Sequence, residues 1–440
     1  MTGIEIGMIC VAALILLISL GMPIGIGMIV VSFAGVTLIR NETVAMRMMG
    51  SVANDSLEEY LFAVVPLFVL MGLLVTVSGV GKDTFDLFER LLRRVRAGLG
   101  VATVFANAVF ASITGISIAS ASVFSRVAVP EMTRHGYRRS FSTGVVAGSS
   151  VLGMLIPPSL LMIVYAVLAE ESVGRMFLAG IGPGILLALL FSATIVIMAT
   201  FRKDSVFERS PDVDAPVADD RPLGVFVLSK GTPIIALVAL VLGGLYGGFL
   251  NPTEAGAIGA LGALVIALAR RSLGGGRMWS LLVETGQVTV SVLFLIMAAT
   301  FFSRMLAMSG LPAMLAETLL DSSIGPYGFL VIFIGLIILM GCLIDSISIM
   351  LILLPIALPV AKAAGFDLIW FGVLTVVAVE IGLLTPPFGL SVYTIKSAID
   401  DPTLKVGEIF RGTLPFVFAM VVALAILVAF PPISVWLARL

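Results

Sequence analysis

Apolar stretches of about 20 residues recur along the whole chain, and short polar segments separate them. An α-helix needs about 20 mainly apolar residues to cross the hydrocarbon core of a bilayer, so this pattern predicts an all-α polytopic membrane protein. The predicted crossings lie at 4–20, 24–39, 60–80, 138–168, 173–201, 231–250, 253–269, 279–308, 367–399 and 406–438.

Two further apolar stretches, 98–133 and 325–362, are interrupted at their centres by glycine and polar residues. Each can form two short helices, and each follows an amphipathic segment, Lys82–Arg96 or Leu311–Ser323, that we expect at the membrane interface. Such a stretch can cross the membrane twice or form a re-entrant hairpin that returns to its own side. We predict a re-entrant helical hairpin in both places.

A pair of adjacent prolines interrupts two of the predicted crossings, in GMLIPPSLLMIVYAVL at 153–168 and in GLLTPPFGLSVYTIKSAI at 382–399. Proline has no backbone N–H and clashes with the carbonyl one turn earlier, so each pair predicts a broken transmembrane helix, 138–168 or 367–399. A carbonyl freed in this way is costly in lipid unless it lines a polar cavity or binds a cation. The half-helix after the break presents free N–H groups and a positive dipole end, which suit a carboxylate.

Glycine and proline positions recur at a fixed offset of 229 residues. The matching pairs are Pro23 and Pro252, Pro130 and Pro359, Gly136 and Gly365, Gly153 and Gly382, and Pro157-Pro158 and Pro386-Pro387; Ser117 and Ser346 match as well. The offset predicts an internal duplication, with a first repeat at 1–201, a cytoplasmic linker at 202–229 and a second repeat at 230–440. With re-entrant hairpins, each repeat has an odd number of crossings, which predicts two repeats of inverted topology.

Lysine and arginine are distributed unequally over the loops of this topology. Nineteen fall on one face and six on the other, with Arg126 inside a hairpin arm. Because basic residues concentrate on the cytoplasmic side, we predict that both termini lie outside the cytoplasm. The bias predicts the orientation of the chain and leaves the depth of the hairpins open.

Composition excludes several classes of function. Hydrophobic residues make up 59% of the chain and charged residues 12%, with a net charge of −1, so no basic surface for nucleic acid is expected. The single histidine, His135, rules out a Ser–His–Asp triad within the membrane, and no phosphate-binding loop for ATP is present. We expect a protein that is not an enzyme and has no cofactor, with Cys10 and Cys342 as buried thiols.

Inverted repeats with broken helices are typical of secondary transporters, whose binding sites lie near the middle of the membrane. The hairpin tips, SITGISIASAS at 112–122 and MGCLIDSIS at 340–348, place hydroxyls and Asp345 around glycine turns, and such hard oxygen ligands suit Na⁺. An ionisable group inside a membrane stretch is functional by default, so we expect Asp345 to serve a cation and not proton transfer. We predict one cation site at each tip and its break, with ligands among Thr114, Gly115, Ser117, Gly153, Gly341, Asp345, Ser346, Gly382, Thr385 and Pro386. For substrate binding we predict Ser120, Pro157, Pro158, Ser159, Ser348, Pro387 and Gly389.

Several polar residues admit a structural explanation. Ser120, Ser122 and Ser125 can allow close helix packing instead of binding a ligand. Glu254, in NPTEAGAIGA, is predicted to belong to a helix start. Glu380 precedes the second break by one to two turns, and both a structural and a functional role remain open.

Three segments resemble the large permease subunit of tripartite ATP-independent periplasmic (TRAP) transporters, of the C4-dicarboxylate large-permease family. They are ASASVFSRVAVPEMTRHGYRRSFSTGVVAGSSVLGMLIPPSLLMIVYAVLAEESVGRMFLAGIGPGIL, NPTEAGA and EIGLLTPPFGLSVY, and the resemblance extends over nearly the whole chain. It implies a Na⁺-coupled importer of organic acids in the bacterial inner membrane, with both termini periplasmic. It also implies an elevator-type mechanism, in which hairpins and broken helices form a transport domain that moves against a scaffold.

The same resemblance implies two partners. One is a small four-helix membrane subunit, expected as a separate chain, and the other is a periplasmic binding protein that delivers substrate. The first tip reads TGIS where the family more often has a Ser-Gly-Ser-Ser-like run, so we expect backbone oxygens to contribute more there. The alternative is a stand-alone Na⁺/dicarboxylate or Na⁺/H⁺ carrier of related architecture that needs no binding protein.

Overall fold

The computed structural model describes residues 1–208, 222–321, 325–399 and 401–439. Over these residues the chain is helical, apart from turns and one bridge between Tyr137 and Phe207. The predicted all-α membrane fold is confirmed. Among the described residues, eight helical segments are long and apolar enough to cross a membrane: Tyr60–Val77, Arg139–Ala169, Val173–Phe201, Gly224–Tyr246, Pro252–Ala269, Arg277–Ser309, Ser346–Ala363 and Val406–Ala429.

The helices of each half follow one another through short turns. The first half contains α1 (Gly3–Ser19), α2 (Ile24–Ile39), α3 (Glu42–Glu58), α4 (Val64–Val77), α5 (Val80–Leu92), α6 (Gly98–Thr114), α7 (Ser117–Arg134), α8 (Arg139–Ser150), α9 (Leu152–Leu155), α10 (Leu160–Ala169), α11 (Val173–Phe201) and α12 (Lys203–Val206). The second contains α13 (Leu223–Val238), α14 (Gly244–Tyr246), α15 (Pro252–Ala269), α16 (Arg277–Ser309), α17 (Leu311–Asp321), α18 (Gly325–Gly341), α19 (Ser346–Ala363), α20 (Leu368–Leu384), α21 (Leu390–Ala398), α22 (Val406–Ala429) and α23 (Pro432–Val435).

The order of elements is the same in the two halves. An amphipathic helix (α5 or α17) precedes two hairpin helices (α6 and α7, or α18 and α19), and a helix then ends at the proline pair. A short helix (α10 or α21) and a long apolar helix (α11 or α22) follow. The second hairpin helices begin at Ser117 and Ser346, which is the offset of 229 residues. The inverted orientation of the halves and the re-entry of the hairpins remain predictions.

Helices α1 and α2 lie where crossings are predicted, and with 17 and 16 residues they are short for a full crossing. The structure differs from the predicted boundaries in two places. Helix α22 ends at Ala429, so the last crossing is shorter than 406–438. Residues 209–221 of the predicted linker lie outside the described residues. Both ends of that linker are helical. At the first end lies α12, where the side chain of Val206 is buried. At the second end α13 begins, and its residues continue the apolar run that follows.

The predicted helix start at Glu254 is confirmed. The side chain of Asn251 accepts a hydrogen bond from the Glu254 N–H at 2.8 Å, and the Glu254 carboxylate accepts one from the Asn251 N–H at 2.9 Å. Pro252 occupies the first turn, where its missing N–H costs nothing. This reciprocal arrangement satisfies two backbone donors at the helix terminus.

Contacts between helices place most of the fold in two groups, which also touch each other where α19 packs on α16 and α6 packs on α4. In the α4 group (α1–α4, α15 and α16), α4 packs on α15 and α16, and α2 packs on α1, α3 and α16. In the hairpin group (α6–α11 and α18–α23), α8 packs on α7 and α22, and α20 packs on α18 and α22. Helices α8 and α22 cross closely at Gly144 and Gly412, where a methyl group on Gly144 would lie 2.0 Å from the Gly412 carbonyl oxygen. The hairpin group therefore combines elements of both halves.

Candidate functional site

The first hairpin turns at Gly115, between α6 and α7. Gly115 has a φ of +65°, which favours glycine, and a Cβ there would lie 2.4 Å from the Pro158 carbonyl oxygen. The Thr114 hydroxyl donates to the Phe110 carbonyl oxygen at 3.1 Å, within its own helix. Both the backbone conformation and the close contact therefore require glycine at this tip.

The first break lies between α9 and α10, and the Pro157-Pro158 peptide bond within it is cis. Ser159 caps α10, because its hydroxyl oxygen accepts from the Met162 N–H at 3.3 Å, and the same hydroxyl donates to the Met154 carbonyl. All of these residues are buried. The hydroxyl of Ser159 is thus already used twice by the backbone of the break.

The first tip and the first break are in direct contact. The Leu160 N–H donates to the Gly115 carbonyl oxygen at 3.3 Å. A Cβ on Gly153 would lie 3.1 Å from the Ser117 backbone nitrogen. The structure therefore brings together the predicted residues of the first cation site.

The second tip and break are joined in the same way. The Pro386-Pro387 peptide bond is also cis, and the Phe388 N–H donates to the Cys342 carbonyl oxygen at 3.2 Å. Gly341 and Gly382 face each other so closely that a Cβ on Gly341 would lie 2.7 Å from the Gly382 Cα. The predicted pairing of this tip with its own break is present in the structure.

Asp345 lies at the second tip, where it caps α19. Its carboxylate accepts from the Ser348 N–H at 3.1 Å and from the Ser348 hydroxyl at 2.5 Å. The residue is exposed, whereas Ser346 and Ser348 are buried. This capping role was not predicted, although Asp is among the residues most favoured at the position just before a helix.

Of the remaining predicted residues of the second break, Thr385 makes one hydrogen bond, and Pro386 and Pro387 are exposed. The Thr385 hydroxyl donates to the Ile381 carbonyl oxygen at 2.7 Å, which leaves its oxygen lone pairs available. Pro386 and Pro387 are exposed, and Gly389 has a φ of +54° at the start of α21. The second break is therefore open where the first is enclosed.

Four buried hydroxyls on α7 and α21 have no hydrogen-bond partner among the described residues. They belong to Ser117, Ser120 and Ser125 on α7 and to Ser391 on α21. Helix α7 packs against α21, and the matching helices α19 and α10 pack against each other. Each hairpin thus contacts the half-helix that follows the break of the other half. A buried hydroxyl without a partner is costly, so these groups are candidates to bind a ligand.

Ser391 is a candidate that was not predicted from the sequence. It lies at the start of the half-helix after the second break, two residues beyond Gly389, and this position is the signal that would have identified it. Asn107 was also missed. Its side-chain amide on α6 donates to the Ser149 hydroxyl on α8 at 2.5 Å, and this buried bond ties the first hairpin to the broken helix.

Glu380 is fully buried on α20, and neither carboxyl oxygen has a hydrogen-bond partner among the described residues. The structure therefore provides no partner that would explain it as a purely structural group. Cys10 and Cys342 are free and buried, as predicted.

The chain matches the family model for the "Tripartite ATP-independent periplasmic transporter, DctM component" over residues 11–433. It belongs to the TRAP large permease family. Such a protein is the permease subunit of a membrane transporter that works with a periplasmic binding protein, and it is not an enzyme. The resemblance noted at the tips and breaks is thereby confirmed over nearly the entire chain.

Several TRAP large permeases are similar to this chain. The C4-dicarboxylate large permease of Pseudomonas aeruginosa is 32% identical over 383 residues, covering 86% of each chain. The sialic acid large permease of Vibrio cholerae is 30% identical and covers 96% of this chain and 95% of its own length. The ectoine large permease of Halomonas elongata is 30% identical and covers 98% of both.

Among solved structures, the YdaH transporter of Alcanivorax borkumensis is similar in fold. It aligns with a TM-score of 0.52 and 16% sequence identity, covering 84% of this chain and 87% of that one. At this identity the likeness concerns the fold alone.

Proposed function

We propose that this permease imports a small organic acid together with Na⁺ across the bacterial inner membrane. A periplasmic binding protein delivers the substrate, and a separate four-helix membrane subunit completes the permease. The printed names of two relatives, a C4-dicarboxylate permease and a sialic acid permease, support an acidic substrate. The orientation, with both termini periplasmic, rests on the distribution of lysine and arginine.

The observation that carries the proposal is the paired arrangement of tips and breaks. At each tip a carbonyl accepts from the backbone just beyond the prolines, and close-packed glycines exclude side chains. The surrounding donors are hydroxyl and carbonyl oxygens, which fit Na⁺ and do not suit soft metals. We assign one cation to the first tip, with Thr114, Gly115, Ser117 and Gly153, and one to the second, with Gly341, Asp345, Ser346, Gly382, Thr385 and Pro386.

The substrate carboxylate is assigned to the region between the first tip with its break and the second tip with its break. Ser120 and Ser391, from helices that pack against each other, supply hydroxyls without a partner among the described residues. The starts of α10 and α21 add a positive dipole end on each side. The other assigned residues are Pro157, Pro158, Ser159, Ser348, Pro387 and Gly389.

Transport is proposed to follow an elevator-type mechanism. The hairpin group contains both tips and both breaks, and the α4 group contains neither. We assign the hairpin group to the transport domain and the α4 group to the scaffold. Bound Na⁺ would neutralise the carboxylate of Asp345 and stabilise the closed second tip before the hairpin group moves.

Uptake into proteoliposomes that contain both membrane subunits tests the coupling. The binding protein is first screened for thermal stabilisation by a panel of organic acids, and the acid that stabilises it is used as the labelled substrate. Uptake is expected under an inward Na⁺ gradient with the binding protein outside. Uptake under a proton gradient without Na⁺ would contradict the proposal, and Na⁺-driven uptake without the binding protein would favour the stand-alone carrier.

A further inference from the structure

The first tip rests against a helix of the other group. Helix α4 packs on α15 and α16 with one side, and it contacts the first hairpin helix α6 with another. A narrow crevice lies between this helix, the tip and the break. The residues that line it include Phe68 and Val69 of α4, Thr114, Gly115 and Ile116 of the tip, and Pro158 of the break.

Gly72 is a residue of α4 that lies directly against the tip backbone. A Cβ at Gly72 would lie 2.8 Å from the Thr114 carbonyl oxygen and 3.3 Å from the Thr114 Cα. The contact joins the backbone of α4 to the backbone of the tip, so no side-chain rotation can relieve a clash there. Thr114 is held further by Gly115, whose positive φ fixes the turn. One added methyl group at Gly72 therefore requires the tip and α4 to separate.

This contact differs from the other close glycine contacts near the site. Gly180 abuts the Leu155 carbonyl inside the hairpin group, and Gly256 abuts Leu67 inside the α4 group. The contact of Gly72 joins one group to the other. The matching residue of the second half, at the offset of 229, is the buried Phe301, so this contact is not part of the repeated pattern.

We propose that Gly72 is a positioning residue at which the first hairpin tip docks on α4 in the state described here. This inference deepens the proposed function, because it rests on movement of the hairpin group against the α4 group. The volume at position 72 sets how favourable the docked state is relative to states in which the tip has moved away. Glycine permits the backbones to touch without locking them through interdigitated side chains.

The rate at which a thiol reagent labels a cysteine at Ile116 reports the docked state. Ile116 lines the crevice and is only partly accessible while the tip is docked. Ile116→Cys is placed in a chain carrying Cys10→Ala and Cys342→Ala, purified with the small membrane subunit. Gly72→Ala is expected to raise the labelling rate by about fivefold or more, and Gly72→Val further, because overpacking disfavours docking.

Gly286→Ala is the matched control, because a Cβ at Gly286 on α16 meets no atom within 4 Å. It should leave the labelling rate unchanged. If Gly72→Ala fails to elute as an intact complex, Val69→Phe fills the same crevice and should raise the rate in the same direction. A purely structural role would change the thermal midpoint of these variants without changing the labelling rate.

Equal labelling rates in the Gly72 and Gly72→Ala backgrounds would overturn the inference, as would an equal effect of Gly286→Ala. Labelling is measured without substrate or gradient, so it is independent of the coupling ion. Altered labelling in a permease whose uptake needs no Na⁺ would support the docking contact and contradict the proposed coupling. Unchanged labelling in a permease with Na⁺-driven uptake would contradict the docking contact alone.

Discussion

The two hairpin tips share one backbone arrangement and differ in burial. In each, an N–H just beyond the prolines donates to a carbonyl of the tip, Leu160 to Gly115 at 3.3 Å and Phe388 to Cys342 at 3.2 Å. The first tip is covered by α4 and is buried together with its break. The second is open at Asp345, and Phe388 beside it is 55% exposed.

The difference shows which features of the repeated tip depend on how deeply the tip is buried. Ile116 and Asp345 occupy matching positions at the offset of 229, and each is the residue that precedes a hairpin helix. Asp345 caps its helix with a side chain, whereas Ile116 makes no side-chain cap. A carboxylate is costly in a buried place without a charge partner, so the covered tip carries an apolar residue and the open tip an acidic one. The backbone contact is common to both halves, and the side chain depends on burial.

The largest expected difference between the tips concerns their glycines. Gly115→Ala introduces both a positive φ for alanine and a clash with the Pro158 carbonyl, and it should lower the free energy of unfolding by about 3 kcal/mol or more. Gly341→Ala meets the Gly382 backbone and the Val379 carbonyl oxygen but requires no positive φ, so it should lower it by about 2 kcal/mol. Thermal unfolding of the detergent-purified complex measures both. Equal losses would show that the two tips are equally constrained.

A second difference lies at the base of the first hairpin, near Glu89 on α5. Burial, and after it the neighbouring carboxylates of Glu131 and Asp86, raise the pKa of Glu89 from 4.5 to about 7, while His135 and Lys230 oppose the shift. The residues that match Glu89 and Glu131 in the second half are uncharged, Thr318 and Val360, so this pair of carboxylates has no counterpart there.

The sign of the effect follows from the raised pKa. Between pH 4.5 and about 7 the folded protein holds a proton on Glu89 that the unfolded chain releases, so stability falls as the pH rises through this range. Glu89→Gln removes the cost of ionisation and should stabilise the protein by about 1–2 kcal/mol at pH 8 and by little at pH 5, allowing for partial screening. Thermal midpoints at the two pH values measure it, with the exposed Glu284→Gln as control. A gain of the same size at both pH values would refute this account.

The smallest expected difference concerns the caps. Asp345→Ala removes the cap of α19 and should cost about 1 kcal/mol, whereas Asp345→Asn retains an accepting oxygen and should cost much less. Ile116→Ala at the matching position removes no cap and serves as the comparison. Urea unfolding of the three variants, in the absence of Na⁺, separates them. A loss for Asn equal to that for Ala would mean that the charge, and not the cap, matters at this tip.

The local features of the fold could be predicted from sequence because they depend on residues close in the chain. The proline pairs at 157–158 and 386–387 and the glycine turns gave the breaks and tips, and NPTEAGAIGA gave the cap at Glu254. The lengths of the apolar stretches predicted the membrane helices. The 229-residue offset of these motifs paired each tip with the break of its own half.

The features that were missed depend on contacts between distant segments. Gly72 and Thr114 meet only through the packing of α4 on the first hairpin, and nothing in the sequence around Gly72 indicates that neighbour. Asn107 and Ser149 are 42 residues apart and pair across two helices. The burial of one tip and the exposure of the other also follow from packing, because the two motifs are alike in pattern.

The central claim, that each tip and its break bind Na⁺, is tested most directly by the Na⁺-dependent thermal stabilisation of the complex in detergent, with K⁺ as control. Na⁺ at about 100 times its dissociation constant would add about 2.7 kcal/mol per independent site. Ser117→Ala and Ser346→Ala are each expected to reduce the Na⁺-dependent shift, and the double variant to abolish most of it. A double variant that is stabilised by Na⁺ as strongly as the unsubstituted protein would contradict the claim.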